Sequence, residues 1–280
     1  MVIKMSDRPK PEIQPIHSVD WDYLIVLDAC RFDFFQEVYE DYLDGELIKV
    51  RSRGSKTGEW LVNTFPGCYK DIKYISGNPS INSLGHKIKN RYDPNEHFEE
   101  IVDVWDFGWD KNLETVPPRQ MNLAYFSNKK ENYKFILHYI QPHLPFLHLG
   151  PIGGTFKTGK KRVKSGNVDK NVLKDKLGVL LEKIFDKKAI WSFKRVLDIE
   201  PTTPYEEIFR KGYLEDILKH YKINLQKVLN SVSNLIGEIN GKIVITADHG
   251  EALGENGIWE HPSGSELDVL RDIPWLEINK

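Results

Sequence analysis

Residues 243–251 read Ile-Val-Ile-Thr-Ala-Asp-His-Gly-Glu, a short apolar run that ends on an acidic residue and a histidine, Asp248 and His249. The length and β-branched composition of the run are typical of a buried strand. Carboxylate and imidazole groups at the end of such a strand need hydrogen-bond partners, water or a cation, because burying them unpaired costs free energy. The stretch therefore predicts a strand that leads into a polar site.

Two other apolar runs also end on polar residues of this kind. Residues 23–28 read Tyr-Leu-Ile-Val-Leu-Asp and end at Asp28, and residues 135–143 contain His138 and end at His143. Ligands of open α/β sheets collect outside the carboxyl ends of the strands. We therefore predict one metal-centred site that is assembled from three strand ends.

The segments around these runs alternate between strand-like and helix-like patterns. A long amphipathic helix is predicted at 213–239, where apolar residues recur at helical spacing. Alternation of this kind favours a doubly wound α/β layer structure. The other predicted helices lie at 31–42, at 116–132 and in a short stretch within 52–65, and the predicted strands at 23–27, 45–51, 71–76, 135–140, 242–247 and 273–278.

Composition limits the setting of the protein. The 280 residues are 40% hydrophobic and 29% charged, with a formal net charge of −2, which gives no overall attraction to nucleic acid or to an anionic membrane. Only Cys30 and Cys68 occur, so no disulfide framework is indicated. No apolar stretch approaches the roughly 20 residues that span a bilayer, and the N-terminus lacks the apolar core of a signal peptide. These features predict a cytoplasmic protein without a nucleic-acid partner.

We predict an extended N-terminal arm at 1–20, which is polar and proline-rich, and a single catalytic domain at 21–280. Within that domain, residues 151–200 hold 13 lysines or arginines against 6 acidic residues. Residues 151–210 are therefore predicted to be a basic helical insertion. The insertion is either a lid over an anionic substrate or an ordinary solvated face of surface helices.

The candidate metal ligands combine carboxylate oxygens with imidazole nitrogens. Mixed sets of this kind suit zinc or manganese, with magnesium and calcium as less favoured alternatives. His261 lies on a glycine-containing loop that can fold back toward Asp248 and His249. Two alternatives stay open, since Asp28 could be a helix N-cap and His138 could be a hydrogen-bonded core histidine. The candidate ligands are Asp28, His143, Asp248, His249 and His261.

A hydroxyl that could act as nucleophile lies in Ser55-Lys56-Thr57-Gly58-Glu59, at the start of a predicted helix. Metal contact would favour loss of the Thr57 proton and attack on phosphorus or sulfur. Spacing alone favours an ordinary N-cap at Thr57 over a nucleophile, and Ser55 competes for the nucleophile role. Arg53 and Lys56 are the candidates for binding ester oxygens.

These motifs carry a family resemblance. The sequence Asp248-His249-Gly-Glu-x-x-Gly-Glu-x-Gly-x-x-x-His261 resembles the C-terminal metal motif of the alkaline phosphatase/sulfatase superfamily, nearest the phosphoethanolamine transferase and lipoteichoic acid synthase branches. Residues 26–33 resemble the first metal motif, residues 55–59 the segment with the nucleophilic threonine, and residues 138–146 the histidine-rich strand end. Together the motifs span nearly the whole chain in family order.

The resemblance implies an αβα sandwich with a mostly parallel sheet and a covalent threonine intermediate that water or an acceptor alcohol releases. It implies one metal at Asp28, Thr57, Asp248 and His249, and a second metal or the leaving group at His143 and His261, with His138 beside them. The substrate would be a small-molecule or glycan phosphate ester. A sulfate ester is less favoured, because the Cys-x-Pro-x-Arg motif of formylglycine sulfatases is absent. Peripheral membrane contact stays open, and the alternative function is an inactive family member that binds an anionic glycan or phosphopolymer.

Overall fold

The computed structural model describes residues 11–152 and 187–280. The strands are β1 (Tyr23–Leu27), β2 (Glu46–Arg51), β3 (Tyr69–Ser76), β4 (Phe98–Asp103), β5 (Lys134–Tyr139), β6 (Lys242–Thr246), β7 (Ala252–Leu253), β8 (Trp259–Glu260) and β9 (Asp272–Asn279). The helices are α1 (Phe32–Val38), α2 (Thr57–Thr64), α3 (Pro94–His97), α4 (Val104–Phe107), α5 (Pro118–Asn128), α6 (Lys187–Val196), α7 (Pro204–Arg210), α8 (Ile217–Gly237) and α9 (Asp268–Arg271).

Seven strands form one sheet in the order β2-β9-β6-β1-β5-β3-β4, and β7 and β8 form a separate two-stranded ribbon. The pairs from β6 across to β4 are parallel, whereas β9 runs antiparallel to both of its neighbours. The central strands are continuous apolar runs, as expected for strands that are covered on both faces. The predicted α/β class with a mostly parallel sheet is confirmed.

Helices cover both faces of this sheet. On one face, Tyr139 of β5 donates a hydrogen bond to Asn122 of α5, and α5 packs in turn against α8. On the other face, the ring of His138 lies 6.0 Å from that of Trp60 in α2. Because neighbouring residues of a strand point to opposite faces, α5 and α2 lie on opposite sides of β5. The layers are therefore those of an αβα sandwich.

The six predicted strands are confirmed, with small shifts at their ends. The predicted helix at 31–42 is α1 followed by a 3₁₀ turn at Tyr39–Asp41, and the helix predicted at 213–239 begins four residues later because Asp216 has a non-helical ψ of 17°. Strand β4 was missed by the sequence prediction. Its sequence, Phe-Glu-Glu-Ile-Val-Asp, places two exposed glutamates on an edge strand and so interrupts the apolar run.

The described part of the predicted arm lies against the domain. The Gln14 side chain is fully buried, donates to Thr246 of β6 and accepts from the indole of Trp60 in α2. These bonds help to fix α2 over the sheet. Among the described residues, we find no helix that combines the length and the apolarity needed to cross a bilayer.

Most of the predicted basic insertion, residues 153–186, lies outside the described residues. The described remainder includes α6 and α7, which pack beside the β7–β8 ribbon. The ring of Trp191 in α6 lies 5.5 Å from that of Trp259, and Trp259 also contacts Tyr205 of α7. This second hydrophobic cluster contains Leu144, Phe146, Trp191, Tyr205, Ile208, Leu214, Ile217, Tyr221, Leu253 and Trp259.

Candidate metal centre

Polar residues follow the carboxyl ends of four neighbouring strands, which run in the order β6-β1-β5-β3. Since these strands are parallel, their carboxyl ends lie along one edge of the sheet, where open α/β folds bind ligands. The structure brings these side chains, which follow separate strands, to one edge of the sheet. The residues are Asp248 and His249 after β6, Asp28 after β1, His143 after β5 and Asn78 after β3.

Asp28, Asp248 and His249 form a tight group of possible metal ligands whose nearest donor atoms lie within 4.8 Å of one another. His249 Nε2 lies 3.3 Å from Asp248 Oδ2 and 3.6 Å from Asp28 Oδ1. Ligands of a tetrahedral zinc ion, each about 2.0–2.1 Å from the metal, are separated by roughly 3.3 Å. The observed spacing therefore fits a shared divalent cation.

Two buried atoms at this group lack protein partners. Among the described residues, Asp248 Oδ2 and His138 Nε2 are inaccessible and accept or donate no hydrogen bond. His138 Nδ1 is hydrogen-bonded to Tyr74 Oη at 2.7 Å, which leaves Nε2 3.7 Å from Asp248 Oδ2 and 3.8 Å from Asp28 Oδ2. Only one of the two ring nitrogens of His138 therefore has a hydrogen-bond partner. Orphaned polar atoms of this kind in a dry site are what a bound cation would complete.

The orientation of His249 is fixed by its other ring nitrogen. His249 Nδ1 lies 2.8 Å from the carbonyl oxygen of Gly250, so Nδ1–H donates there and Nε2, which faces Asp28 and Asp248, keeps the lone pair that could bind a metal. Asp248 Oδ1 accepts from the backbone N–H groups of Ala29 and His249. The backbone of Ala29 has a φ of +59°, a rare conformation for a residue with a side chain. The loop after β1 is therefore shaped around the carboxylates.

Asp28 and Thr57 are not helix N-caps. Helix α1 begins at Phe32 with Arg31 as its N-cap, three residues beyond Asp28. Helix α2 has Lys56 as its N-cap and begins with Thr57, whose Oγ1 lies 3.5 Å from His249 Nε2. The two capping alternatives left open by the sequence are therefore excluded by the geometry.

Ser55 is turned away from the metal group. Its Oγ lies 3.0 Å from Glu59 Oε2 and 2.8 Å from the carbonyl oxygen of Pro262, so its one proton is used in these contacts. Of the two hydroxyls considered from the sequence, Thr57 is the one that faces the candidate ligands.

Asn78 is a site residue that the sequence analysis missed. Its amide Nδ2 donates to Asp28 Oδ2 at 2.7 Å and lies 3.3 Å from Thr57 Oγ1. The signal was available, because Asn78 follows a predicted strand just as Asp28 does. An amide donor between the two side chains both holds Asp28 and points at the position where an oxygen bound to Thr57 would lie.

A second group lies beside the first and consists of His143, Glu251 and His261. His261 Nδ1 lies 3.0 Å from Glu251 Oε2, and the rings of His249 and His261 are 4.6 Å apart. His143 Nδ1 lies 2.8 Å from the carbonyl oxygen of Leu144. His143 and His261 therefore come together as predicted, and Glu251 joins them as a residue that the sequence analysis quoted but did not assign.

Burial and neighbouring charges shift the pKa values of these groups. Burial and the adjacent Asp248 hold the pKa of Asp28 well above its usual range, against the effect of the Asn78 hydrogen bond. Burial lowers the pKa of His249 well below its usual value and that of His138 to about 4, so both rings are neutral and can ligate. His261 differs: burial opposes its charged form, but Glu251 raises its pKa above 6.5.

A cavity of about 520 Å³ opens onto both groups. Lys56 lines this cavity, whereas Arg53, the other predicted substrate-binding residue, is not among its lining residues. The lining residues are Asp28, Lys56, Thr57, Gly58, Asn78, Ser80, Asn82, His86, Lys87, Ile88, Lys89, His143, Leu144, Pro204, Tyr205, Glu251, Glu260 and His261.

No protein-family model and no curated protein matches the chain. Among solved structures, the chain is similar to the soluble domain of lipooligosaccharide phosphoethanolamine transferase A from Neisseria meningitidis. The two share 14% identity with a TM-score of 0.53, over 91% of this chain and 75% of the other. Against the integral membrane form of that transferase, the chain spans 51% of the other protein's length, with 97% of this chain covered, 14% identity and a TM-score of 0.49.

A zinc complex of the periplasmic domain of EptC from Escherichia coli is also similar, at 11% identity and a TM-score of 0.48, over 94% of this chain and 74% of the other. At identities this low, a structural likeness shows a shared fold and nothing more. The conclusion rests on the N. meningitidis soluble domain, whose TM-score is 0.53. The chain therefore has the fold of that transferase domain, which agrees with the family resemblance of its sequence motifs.

Proposed function

We propose that the protein is a divalent-metal-dependent enzyme that cleaves phosphate esters with Thr57 as its nucleophile. The observation that carries the proposal is the grouping of Asp28, Asp248 and His249 around an orphaned carboxylate oxygen, with Thr57 Oγ1 3.5 Å from His249 Nε2. Thr57 and Asp28 line a cavity large enough for an organic ester. A sulfate ester is the less favoured substrate.

Asp28, Thr57, Asp248 and His249 would hold the cation. When bound, it would favour the alkoxide form of Thr57 and withdraw negative charge from the phosphate oxygens. Asn78 contributes without a charge, because its amide N–H donates toward Thr57 Oγ1 from a fixed position on Asp28. A fixed donor beside Thr57 is also suited to a phosphate oxygen of the bound ester, where negative charge is held during the attack.

His261 is the candidate proton donor to the departing alcohol. Glu251 raises its pKa above the ordinary value, so the ring stays protonated further toward neutral pH. His143 is the complementary neutral ring, since burial lowers its pKa. His143, whose Nδ1 lies 2.8 Å from the Leu144 carbonyl oxygen, lines the cavity and is the candidate acceptor of a proton from water or from an acceptor alcohol. Hydrolysis and transfer differ only in which of the two enters.

Zinc is the proposed ion, because carboxylate, imidazole and hydroxyl donors at this spacing suit a tetrahedral site. Manganese stays a prediction from the same donor set. The cytoplasmic location and the absence of a nucleic-acid partner also stay predictions from composition. The single domain at 21–280 and the lid role of residues 151–210 likewise remain proposals.

The test combines metal analysis with activity. Protein purified without added metal should retain roughly stoichiometric zinc. It should cleave 4-nitrophenyl phosphodiesters or monoesters, and Thr57→Ala should lower kcat by at least about 10³-fold even when zinc is added to saturation. Ser55→Ala is the matched control, since that hydroxyl faces Glu59, and it should keep most of the activity. Full activity of Thr57→Ala would remove Thr57 from the mechanism. Retained zinc without cleavage of any ester would favour the inactive, anion-binding alternative.

A further inference from the structure

One wall of the cavity is cationic. Three lysines and a histidine line it, of which His86, Lys87 and Lys89 come from a single loop, and Lys56 directly precedes the candidate nucleophile. The loop lies against the start of α2, because a Cβ atom on Gly58 would meet Ile88 Cγ2 at 3.1 Å. We call Lys56, Lys87 and Lys89 the lysine wall.

The charges of the lysine wall are only loosely neutralised. Lys87 Nζ lies 3.7 Å from Glu96 and Lys89 Nζ 3.7 Å from Glu59, both longer than a direct hydrogen bond. Lys56 forms no ion pair among the described residues. Exposed pairs at such distances contribute little, so the ammonium groups remain available to a ligand.

The acidic residues of the cavity are committed elsewhere. Asp28 belongs to the metal group, and Glu251 is bonded to His261. Glu260 belongs to the β7–β8 ribbon and directly follows Trp259, whose ring contacts that of Tyr205. The acidic residues of the cavity therefore lie in the two candidate ligand groups and on the β7–β8 ribbon, and the lysines lie beside the start of α2.

The cationic wall exceeds what a single phosphate ester needs. One phosphate held at the metal group would already be contacted by the cation, Asn78 and Thr57. A cavity of about 520 Å³ leaves room for a substantial alcohol portion beyond it. Three lysines beside that space favour a group that carries its own negative charge, since compact ammonium groups bind phosphate as point charges.

We propose that the substrate carries a second phosphate group on its alcohol portion, which the lysine wall binds while the scissile phosphate lies at Thr57. The proposal rests on the proposed function for the position of the scissile phosphate. The chemical class is an organic bisphosphate or a phosphodiester with a neighbouring phosphate, as opposed to an ester of a neutral or cationic alcohol.

The test measures binding and needs no turnover. Zinc-loaded protein is titrated by calorimetry with propane-1,3-bisphosphonate and with propylphosphonate, neither of which has an ester bond to cleave. At about 50 mM salt, the bisphosphonate should bind at least about tenfold more tightly, and the ratio should shrink at about 500 mM salt because exposed charges are screened. The double variant Lys87→Gln/Lys89→Gln should reduce the ratio to below about threefold.

The control is Lys129→Gln/Lys130→Gln, which removes the same charge from two exposed lysines just before β5, at the opposite end of the sheet. This variant should leave the ratio unchanged. Equal binding of the two phosphonates, or a ratio that both double variants reduce alike, would overturn the inference. Tight bisphosphonate binding by a protein that cleaves no ester would instead support the lysine wall and overturn the proposed function.

Discussion

The carboxylate of Glu59 joins the start of α2 to the loop that follows His261. Glu59 Oε2 accepts from the backbone N–H of Ser55 at 3.3 Å and from that of Gly264 at 3.2 Å, and the Ser55 hydroxyl lies 3.0 Å away. Ser263 Oγ donates to the other oxygen. The side chain is largely buried. One charge therefore holds together the two segments that carry the candidate nucleophile and His261.

The pKa of Glu59 gives the size of this effect. Burial alone would raise the pKa, but the hydrogen bonds from Ser263, Gly264 and Ser55 outweigh it and lower the pKa from 4.5 to about 2. At 1.36 kcal/mol per pKa unit, that difference corresponds to about 3 kcal/mol of folding free energy at pH 7. Because the folded-state pKa is lowered, this stability is present above pH 4.5 and is lost as the pH falls toward 2.

We predict that Glu59→Gln lowers the free energy of unfolding by about 3 kcal/mol at pH 7 and by only about half as much at pH 3. Urea unfolding of both proteins between pH 7 and pH 3 measures the difference at each pH, so that titration of all other groups cancels. Glu37→Gln is the matched control. Its exposed carboxylate pairs with Lys222 on the surface, and the change should stay below about 0.5 kcal/mol at every pH.

The result that refutes the reasoning is a Glu59→Gln deficit that does not change with pH. It would mean that the side chain stabilises the fold by packing and shape, not by accepting hydrogen bonds as a charge. A deficit as small as that of Glu37→Gln would show that the α2 start and the 262–265 loop are held in place by other contacts.

Asn78→Ala should lower kcat on a nitrophenyl ester by about 10²-fold with little change in zinc content, because it removes a donor and not a proposed ligand; loss of zinc instead would make Asn78 a support for Asp28. Asp248→Asn should raise the Tm of chelator-treated protein by relieving repulsion from Asp28. The same variant should lose the zinc-induced rise in Tm of the parent protein, which corresponds to about 2.7 kcal/mol of stabilisation at a zinc concentration of 100 Kd. A zinc response equal to the parent's would contradict the site. Glu206→Ala should destabilise the protein by about 3 kcal/mol in urea unfolding, because the fully buried carboxylate holds Lys194 and Arg210; an unchanged midpoint would refute this.

Much of the site could be predicted because its residues follow strongly patterned segments. The apolar runs before Asp28 and Asp248 have the length and composition of buried strands, and parallel strands bring their carboxyl ends together. The positions of these residues in the fold could therefore be predicted directly from the sequence pattern. The same rule, applied to the strand before Asn78, would have added the amide that the analysis left out.

The remaining details depend on contacts between distant segments. Thr57 and Ser55 are two residues apart and chemically alike, and only the position of Glu59 and Pro262 decides which hydroxyl faces the ligands. The strand β4 escaped prediction because its exposed glutamates lie on an edge. Arg53 was favoured for its charge and its nearness in sequence to Thr57, yet its side chain does not line the cavity.

The charge arrangement links the site to the stability of the fold. Asp28 has its pKa raised by burial and by Asp248, so its ionisation is less favourable in the folded chain than in the unfolded one. A carboxyl group with a raised folded-state pKa stabilises the fold only at low pH and costs stability as the pH rises past 3.8. The cation-free protein therefore holds these two neighbouring acidic groups together at a cost in stability, which contacts such as the amide of Asn78 and the backbone N–H groups on Asp248 offset. A cation bound between the two acidic groups would offset their mutual repulsion. Metal binding and folding stability are therefore thermodynamically linked at this edge of the sheet.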